Sequence, residues 1–229
     1  MKVLIFGATG MIGQAVLRES LLDPQIDRVT VVGRNPTGQH HPKLRELIHA
    51  DLGDLSPIAE GLAGHDACFW CVGVSSAGMS EAEYTRVTCD LTLSAARSLA
   101  ASSPHLTFVF VSGMGADSSE RGRVMWARVK GKTENALREL PLHASYVVRP
   151  AFVQPLHGIR SRTRMYNLFY AVLAPLYPLW KLLLPGLVTS TEQMGRAMIA
   201  VARDGTAKYV LETRDLNAIG QRELAARAG

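Results

Sequence analysis

Glycines at positions 7, 10 and 13, in the stretch IFGATGMIGQAV, follow directly on an apolar run and open a segment of helical periodicity. Few features restrict a chain more, because an extended strand must turn sharply into a helix there. Gly7 permits the tight turn. Gly10 lets phosphates approach the backbone, and Gly13 lets helix and strand pack closely. The helix start then offers unpaired N–H groups and the positive end of its dipole. The spacing, G-x-x-G-x-x-G, is a variant of the dinucleotide-binding G-x-G-x-x-G form, and in this context it points to a bound pyrophosphate.

The rest of the first 150 residues repeats the same alternation. Apolar runs at Lys2–Gly7, Arg28–Arg34, within Leu44–Leu52, and at Asp66–Gly73, Leu106–Gly113 and Ala144–Pro150 read as six strands. Between them the helical patterns Gly13–Leu22, Ser80–Ser103 and Arg123–Leu140 stand out. Val-, Ile- and Phe-rich strands separated by helices imply a parallel sheet covered on both faces. The expected class is α/β, a doubly wound parallel sheet. After Pro150 the alternation lapses, and Ser190–Ala202 reads as a helix capped by Ser190 or Thr191. Ala207–Thr213 reads as a late strand, followed by a helix-prone tail. No linker divides the 229 residues, so the chain reads as one domain, with 151–229 adding a small substrate lobe and closing elements.

Composition narrows the function classes. Hydrophobic content is 47% and charged content 20%, a globular balance that argues against disorder. The net charge of +5 is scattered, with one local group at Arg160, Arg162 and Arg164. Without a basic stripe interleaved with aromatics, nucleic acid is not an expected partner. The seven histidines are dispersed and show no zinc spacing, so no metal site is expected. Three cysteines and no secretory leader pattern suit a reducing, cytoplasmic location. Cys68 and Cys71 form a C-x-x-C, but on a strand that spacing sends the two thiols to opposite faces.

Strand two bears on cofactor choice. NAD-selective sites place an Asp or Glu about 20 residues past the glycine loop. Here VVGRNP supplies Gly33 and Arg34 and no acid. An acid would repel a 2′-phosphate, whereas a guanidinium can pair with it. NADP(H) is expected over NAD(H).

GATGMIG, VVGR, ADL (50–52), CVG (71–73), VSGMGAD (111–117), KGKTE (130–134) and VVRPAFV (147–153) follow one another in the order found in short-chain dehydrogenase/reductases. The chain most resembles the atypical branch that includes Tat-interacting oxidoreductase-like proteins. The resemblance implies a Rossmann sheet, with Gly7, Thr9, Gly10, Met11, Ile12 and Gly13 cradling the cofactor. It implies Asp51 and Leu52 beside the adenine, Cys71, Val72 and Gly73 along the cofactor, and Pro150 and Phe152 near the nicotinamide.

The same resemblance implies a catalytic Tyr four residues before a Lys that binds the nicotinamide ribose, with a Ser at the end of strand five orienting the carbonyl. Lys130 fills the Lys position, and Ser112 is the candidate Ser, followed by Gly113 and Met114 where relatives often carry the working hydroxyl. The Tyr position holds Trp126. An indole N–H donates a hydrogen bond but does not titrate as a phenol does. Trp126 is therefore either a core aromatic that ends catalysis or a stacking surface beside another proton source, such as Tyr84, Tyr166, Tyr170 or water, unless the motif is misplaced.

Residues 166–188 are apolar apart from Asn167 and Lys181, and carry Pro175, Pro178 and Pro185. The prolines and the lysine argue against a spanning helix. The segment reads as the core of the substrate lobe, or as an apolar face for a lipophilic substrate or a membrane surface, with 160–188 as the contact. Two functions stand: an NADP(H)-dependent reductase or epimerase-like enzyme for an apolar carbonyl or quinone-like compound, and a non-catalytic NADP(H)-binding sensor or docking module.

Overall fold

The computed structural model describes residues 1–159 and 186–228. Their main feature is a seven-stranded sheet in the order β3-β2-β1-β4-β5-β6-β9, with every pairing parallel. The strands are β1 (Lys2–Phe6), β2 (Arg28–Gly33), β3 (Leu44–Ile48), β4 (Ala67–Trp70), β5 (Thr107–Val111), β6 (Ala144–Arg149) and β9 (Val210–Glu212). The order reverses beside β1, which leaves a crevice at the C-terminal ends of β1, β2 and β4.

Strand alternation sorts the core into two layers. Val3 and Ile5 of β1 face one apolar cluster with Phe69, Val109 and Val148; Leu4 and Phe6 face another with Trp70, Phe108 and Phe110. The first layer is closed by α1 (Met11–Leu22), α6 (Thr191–Asp204) and α7 (Thr213–Ala228). The second is closed by α2 (Ala59–Leu62), α3 (Glu81–Thr85), α4 (Leu91–Ser102) and α5 (Met125–Arg138). Cys68 lies in the second layer and Cys71 against the first, so the two thiols point apart, as strand geometry requires.

Several features differ from the sequence reading. Helix α1 starts at Met11, because Gly10 serves as its extended N-cap. The long helix expected over 80–103 holds a π turn at Arg86–Asp90 between α3 and α4. Its start is fixed by a capping box, in which the Ser80 hydroxyl accepts from the Glu83 N–H at 3.3 Å and the Glu83 carboxylate accepts from the Ser80 N–H at 2.9 Å. The late strand shortens to β9, since Thr213 already begins α7. A second sheet, β7 (Phe152–Gln154) paired with β8 (Val188–Ser190), had no counterpart in the sequence pattern. Ser190 caps α6, accepting from the Gln193 N–H at 3.1 Å. Arg160, Arg162, Arg164, Tyr166, Tyr170 and the expected membrane-facing stretch up to residue 185 lie outside the described residues.

Candidate functional site

At the crevice, Gly7 takes a positive φ of 77°, and a Cβ there would sit 2.6 Å from the Cys71 carbonyl oxygen. A Cβ on Gly13 would meet the Gly7 carbonyl oxygen at 2.1 Å. Both positions therefore demand glycine. Gly10 is looser: a Cβ there would meet the Gly7 oxygen at 3.4 Å, and Gly73 opposite faces open space. No side chain caps α1, and its first turn holds no acid, so the positive end of the helix dipole is not offset by a side chain there. Met11 and Ile12 pack their side chains against the core.

These elements enclose a cleft of about 170 Å³. Gly7, Ala8, Thr9 and Gly10 form one wall, and Cys71 to Val74, after β4, another. The end of β2 contributes Val31 to Asn35, and Leu52 closes the side. Arg34 is exposed at the lip and has no hydrogen bond or ion pair among the described residues. Asp51, expected beside an adenine, is exposed and accepts from the Gly53 N–H at 2.9 Å, while Leu52 next to it lines the cleft. Burial pushes the Cys71 thiol up to about 12, so it is a neutral wall. Ala8, Asn35 and Val74 belong to the lining as well. Their signal was positional: each follows a strand end that sequence reasoning had already marked.

The residues expected at the nicotinamide end, Lys130 and Ser112 among them, stand around the ends of β5 and β6 and do not line this cleft. Lys130 projects from α5 and donates to the Val111 carbonyl at 3.2 Å, with its ammonium 5.1 Å from the centre of the Phe110 ring. Burial lowers its pKa to about 8, against an opposing pull from Glu134. The loops after β5 and β6 are joined by the Met114 N–H donating to the Pro150 carbonyl at 3.0 Å. Phe152 starts β7, its N–H bonded to the Leu187 carbonyl at 3.0 Å; neither it nor Pro150 reaches the cleft wall.

Trp126 is half-buried on α5 against the second apolar layer, and a Cβ on Gly115 would stand 3.6 Å from its ring. Ser112 sits at the end of β5. It is buried, and its hydroxyl donates to Glu134, so its proton is already committed. Tyr84 is buried in the core and hydrogen-bonded to Thr88, with its phenol pushed up by burial, which removes it from the candidate proton sources. Among the described residues, no group of three metal-capable side chains converges and no helix is long and apolar enough to cross a membrane.

A glycine-cradled helix start, an acid-free strand-two tip and the order 3-2-1-4-5-6 fit a dinucleotide. The family model described as NAD(P)H-binding matches residues 7–154. The chain belongs to the NAD(P)H-binding family. Among relatives within reach of this family, rat Protein HTATIP2 is 29% identical over 65% of the chain and 61% of its own length. The Leucinostatins biosynthesis cluster protein T of Purpureocillium lilacinum is 25% identical over 96% of the chain and 93% of its own. Protein fmp52-2, mitochondrial, of Aspergillus terreus is 24% identical, covering 96% of each chain. Among solved structures, the Bordetella bronchiseptica enzyme WbmF in complex with NAD+ superposes with a TM-score of 0.65 at 16% identity, over 96% of this chain and 77% of its own. Streptomyces venezuelae DesIV, a dTDP-glucose 4,6-dehydratase with NAD bound, gives 0.64 at 19%, over 98% and 81%. At these identities the NAD(P)H-binding chain shares their fold.

Proposed function

We propose that the chain is an NADP(H)-dependent reductase of the atypical short-chain kind, acting on an apolar carbonyl or quinone-like compound. Arg34 carries the cofactor preference: it is an exposed cation, unpartnered among the described residues, at the lip of a cleft whose second strand ends without an acid. A bound cofactor would supply the hydride. The chain's own tasks are to seat the pyrophosphate on the first turn of α1, to hold the ribose through Lys130, and to admit the substrate. Val74 and Met114, exposed after the adjoining strands β4 and β5, favour an apolar substrate. The three free cysteines suit a reducing compartment.

The deciding experiment titrates NADPH and NADH and follows NADPH oxidation against lipophilic aldehydes, ketones and quinones. Arg34→Glu is expected to weaken NADPH binding at least ~10-fold, the scale of one lost charge-assisted contact plus repulsion, and to leave NADH nearly unchanged. Equal losses for both cofactors would remove Arg34 from the 2′-phosphate role. A second reading, a non-catalytic NADP(H)-binding module, is favoured by Trp126 in the phenol position and by the commitment of the Ser112 proton to Glu134. Tight NADPH binding without turnover on the whole panel would select it.

A further inference from the structure

Behind Lys130 lies a buried ionic cluster. The Glu134 carboxylate is 1% exposed and takes the Ser112 hydroxyl and two donors of Arg149, one of them Nε at 3.1 Å. Arg149 also donates to the Ser118 hydroxyl at 2.7 Å and lies 3.6 Å from Glu212. The Tyr209 hydroxyl donates to the Glu134 carbonyl at 2.5 Å. One residue of α5 thus gathers the end of β5, the loop after it, β6 and the chain entering β9. Cohesion alone does not call for charge here, because apolar groups of similar volume would join the same segments about as firmly.

The charge acts one helical turn away. Glu134 and Lys130 stand four residues apart on α5, on one face. Among the described residues, the other groups against the ammonium, the Val111 carbonyl and the Phe110 ring, are neutral. Arg149, from β6, faces Glu134 and Glu212. Burial drives the Lys130 ammonium toward the neutral amine, and Glu134 is the charge that opposes this.

We propose that Glu134 is a positioning residue for Lys130: its carboxylate, held in place by Arg149 and Ser112, sets a fixed negative charge one helical turn from the ammonium and keeps it at the end of β5. The proposal rests on the reading of Lys130 as the ribose ligand. It gives Ser112 a supporting part, as a donor to Glu134.

Glu134→Gln keeps the shape and the acceptor for Ser112 but removes the charge, and leaves Arg149 without its partner. The double variant Glu134→Gln with Arg149→Met removes that stranded charge too, and carries the comparison if the single variant does not fold. Two readouts apply: the Lys130 titration, followed by NMR on protein with ¹³C-methylated lysines and assigned by loss of the signal in Lys130→Arg, and the NADPH dissociation constant from pH 6.5 to 9. In the parent, Lys130 is expected to titrate near 8 and NADPH affinity to fall as pH rises through that value. In the folded variants both midpoints are expected about one unit lower. NADPH affinity at pH 7.5 then drops about threefold, the ratio of the protonated fractions. Folded variants whose Lys130 midpoint matches the parent's would overturn the proposal and leave Glu134 as a fold-holding residue. A parent that does not bind NADPH would sink the cofactor reading instead, while the lysine titration still decides what Glu134 does.

Discussion

At the scale of single residues, Trp126 separates the two functional readings. Its ring is only half-buried and borders Gly115, whose positive φ of 87° shapes the loop after β5. Trp126→Tyr returns a titratable proton to the helix face that carries Lys130. If the reductase reading holds, turnover should rise by roughly 10²-fold or more, within the range of general-acid help. Unchanged turnover with intact NADPH binding would favour the non-catalytic module. His65 gives a pH prediction of another kind. Its Nδ1 pairs with the Leu62 carbonyl at 3.0 Å, so Nδ1 carries the proton, and Nε2 accepts from the Thr30 hydroxyl at 2.9 Å. Burial lowers its folded pKa below the ordinary value of 6.5. As pH falls through 6.5 the unfolded chain therefore takes up the proton first, and the stability this residue contributes is lost from there down through the folded pKa. Urea midpoints at pH 7.5 and 5.5 should differ more for the parent than for His65→Gln; equal differences would show that the imidazole is not responsible. Residue chemistry was only partly legible in the chain. Gly7, Arg34, Lys130 and Trp126 stood out because their motif positions are local. The Ser112–Glu134–Arg149 cluster did not, because it joins three elements that only tertiary packing brings together.

Among the elements, the contact between α5 and the loop after β5 is tight. A Cβ on Gly131 would lie 1.8 Å from the Asp117 carbonyl oxygen, a backbone atom that cannot rotate away. The same loop is tied to the helix by the Asp117 N–H donating to the Ala127 carbonyl at 2.9 Å. Gly131→Ala should therefore cost about 3 kcal/mol or more by overpacking, or roughly 10 °C in melting temperature for a chain of this size. Differential scanning calorimetry checks it, and a loss under ~1 kcal/mol would mean that the loop yields more easily than its geometry implies. Strands and amphipathic helices were legible because their periodicities are short-range. The π turn and the β7–β8 pair were not: the first shifts the helical register without a break in apolar spacing, and the second pairs residues 36 positions apart in its register, as in Phe152↔Val188.

Over the whole molecule, α1 and α6 are bound across most of the sequence. Glu19 is fully buried and pairs with Arg18 and with Arg196 at 3.0 Å. A Cβ on Gly195 would lie 2.9 Å from the Ala15 carbonyl oxygen, so the two helices touch backbone to backbone. Arg196→Met should destabilise the fold by about 3 kcal/mol, because the remaining carboxylate is left poorly compensated, and Glu19→Met in the same chain should recover much of that loss. Denaturant titration of both variants checks this; equal stability of the single and double variants would mean that no charge is stranded.

The strand that covers the β6 edge is made late. Val147 pairs with Val210, 63 residues later. During synthesis at ~5–20 residues per second, β6 therefore waits roughly 3–12 s with an open edge before β9 is made. In that interval the inner face of α1 also lacks its cover from α6. Until α6 and β9 are made, the emerging chain thus shows an unpaired strand edge and an uncovered helix face, the two features that invite association with other chains.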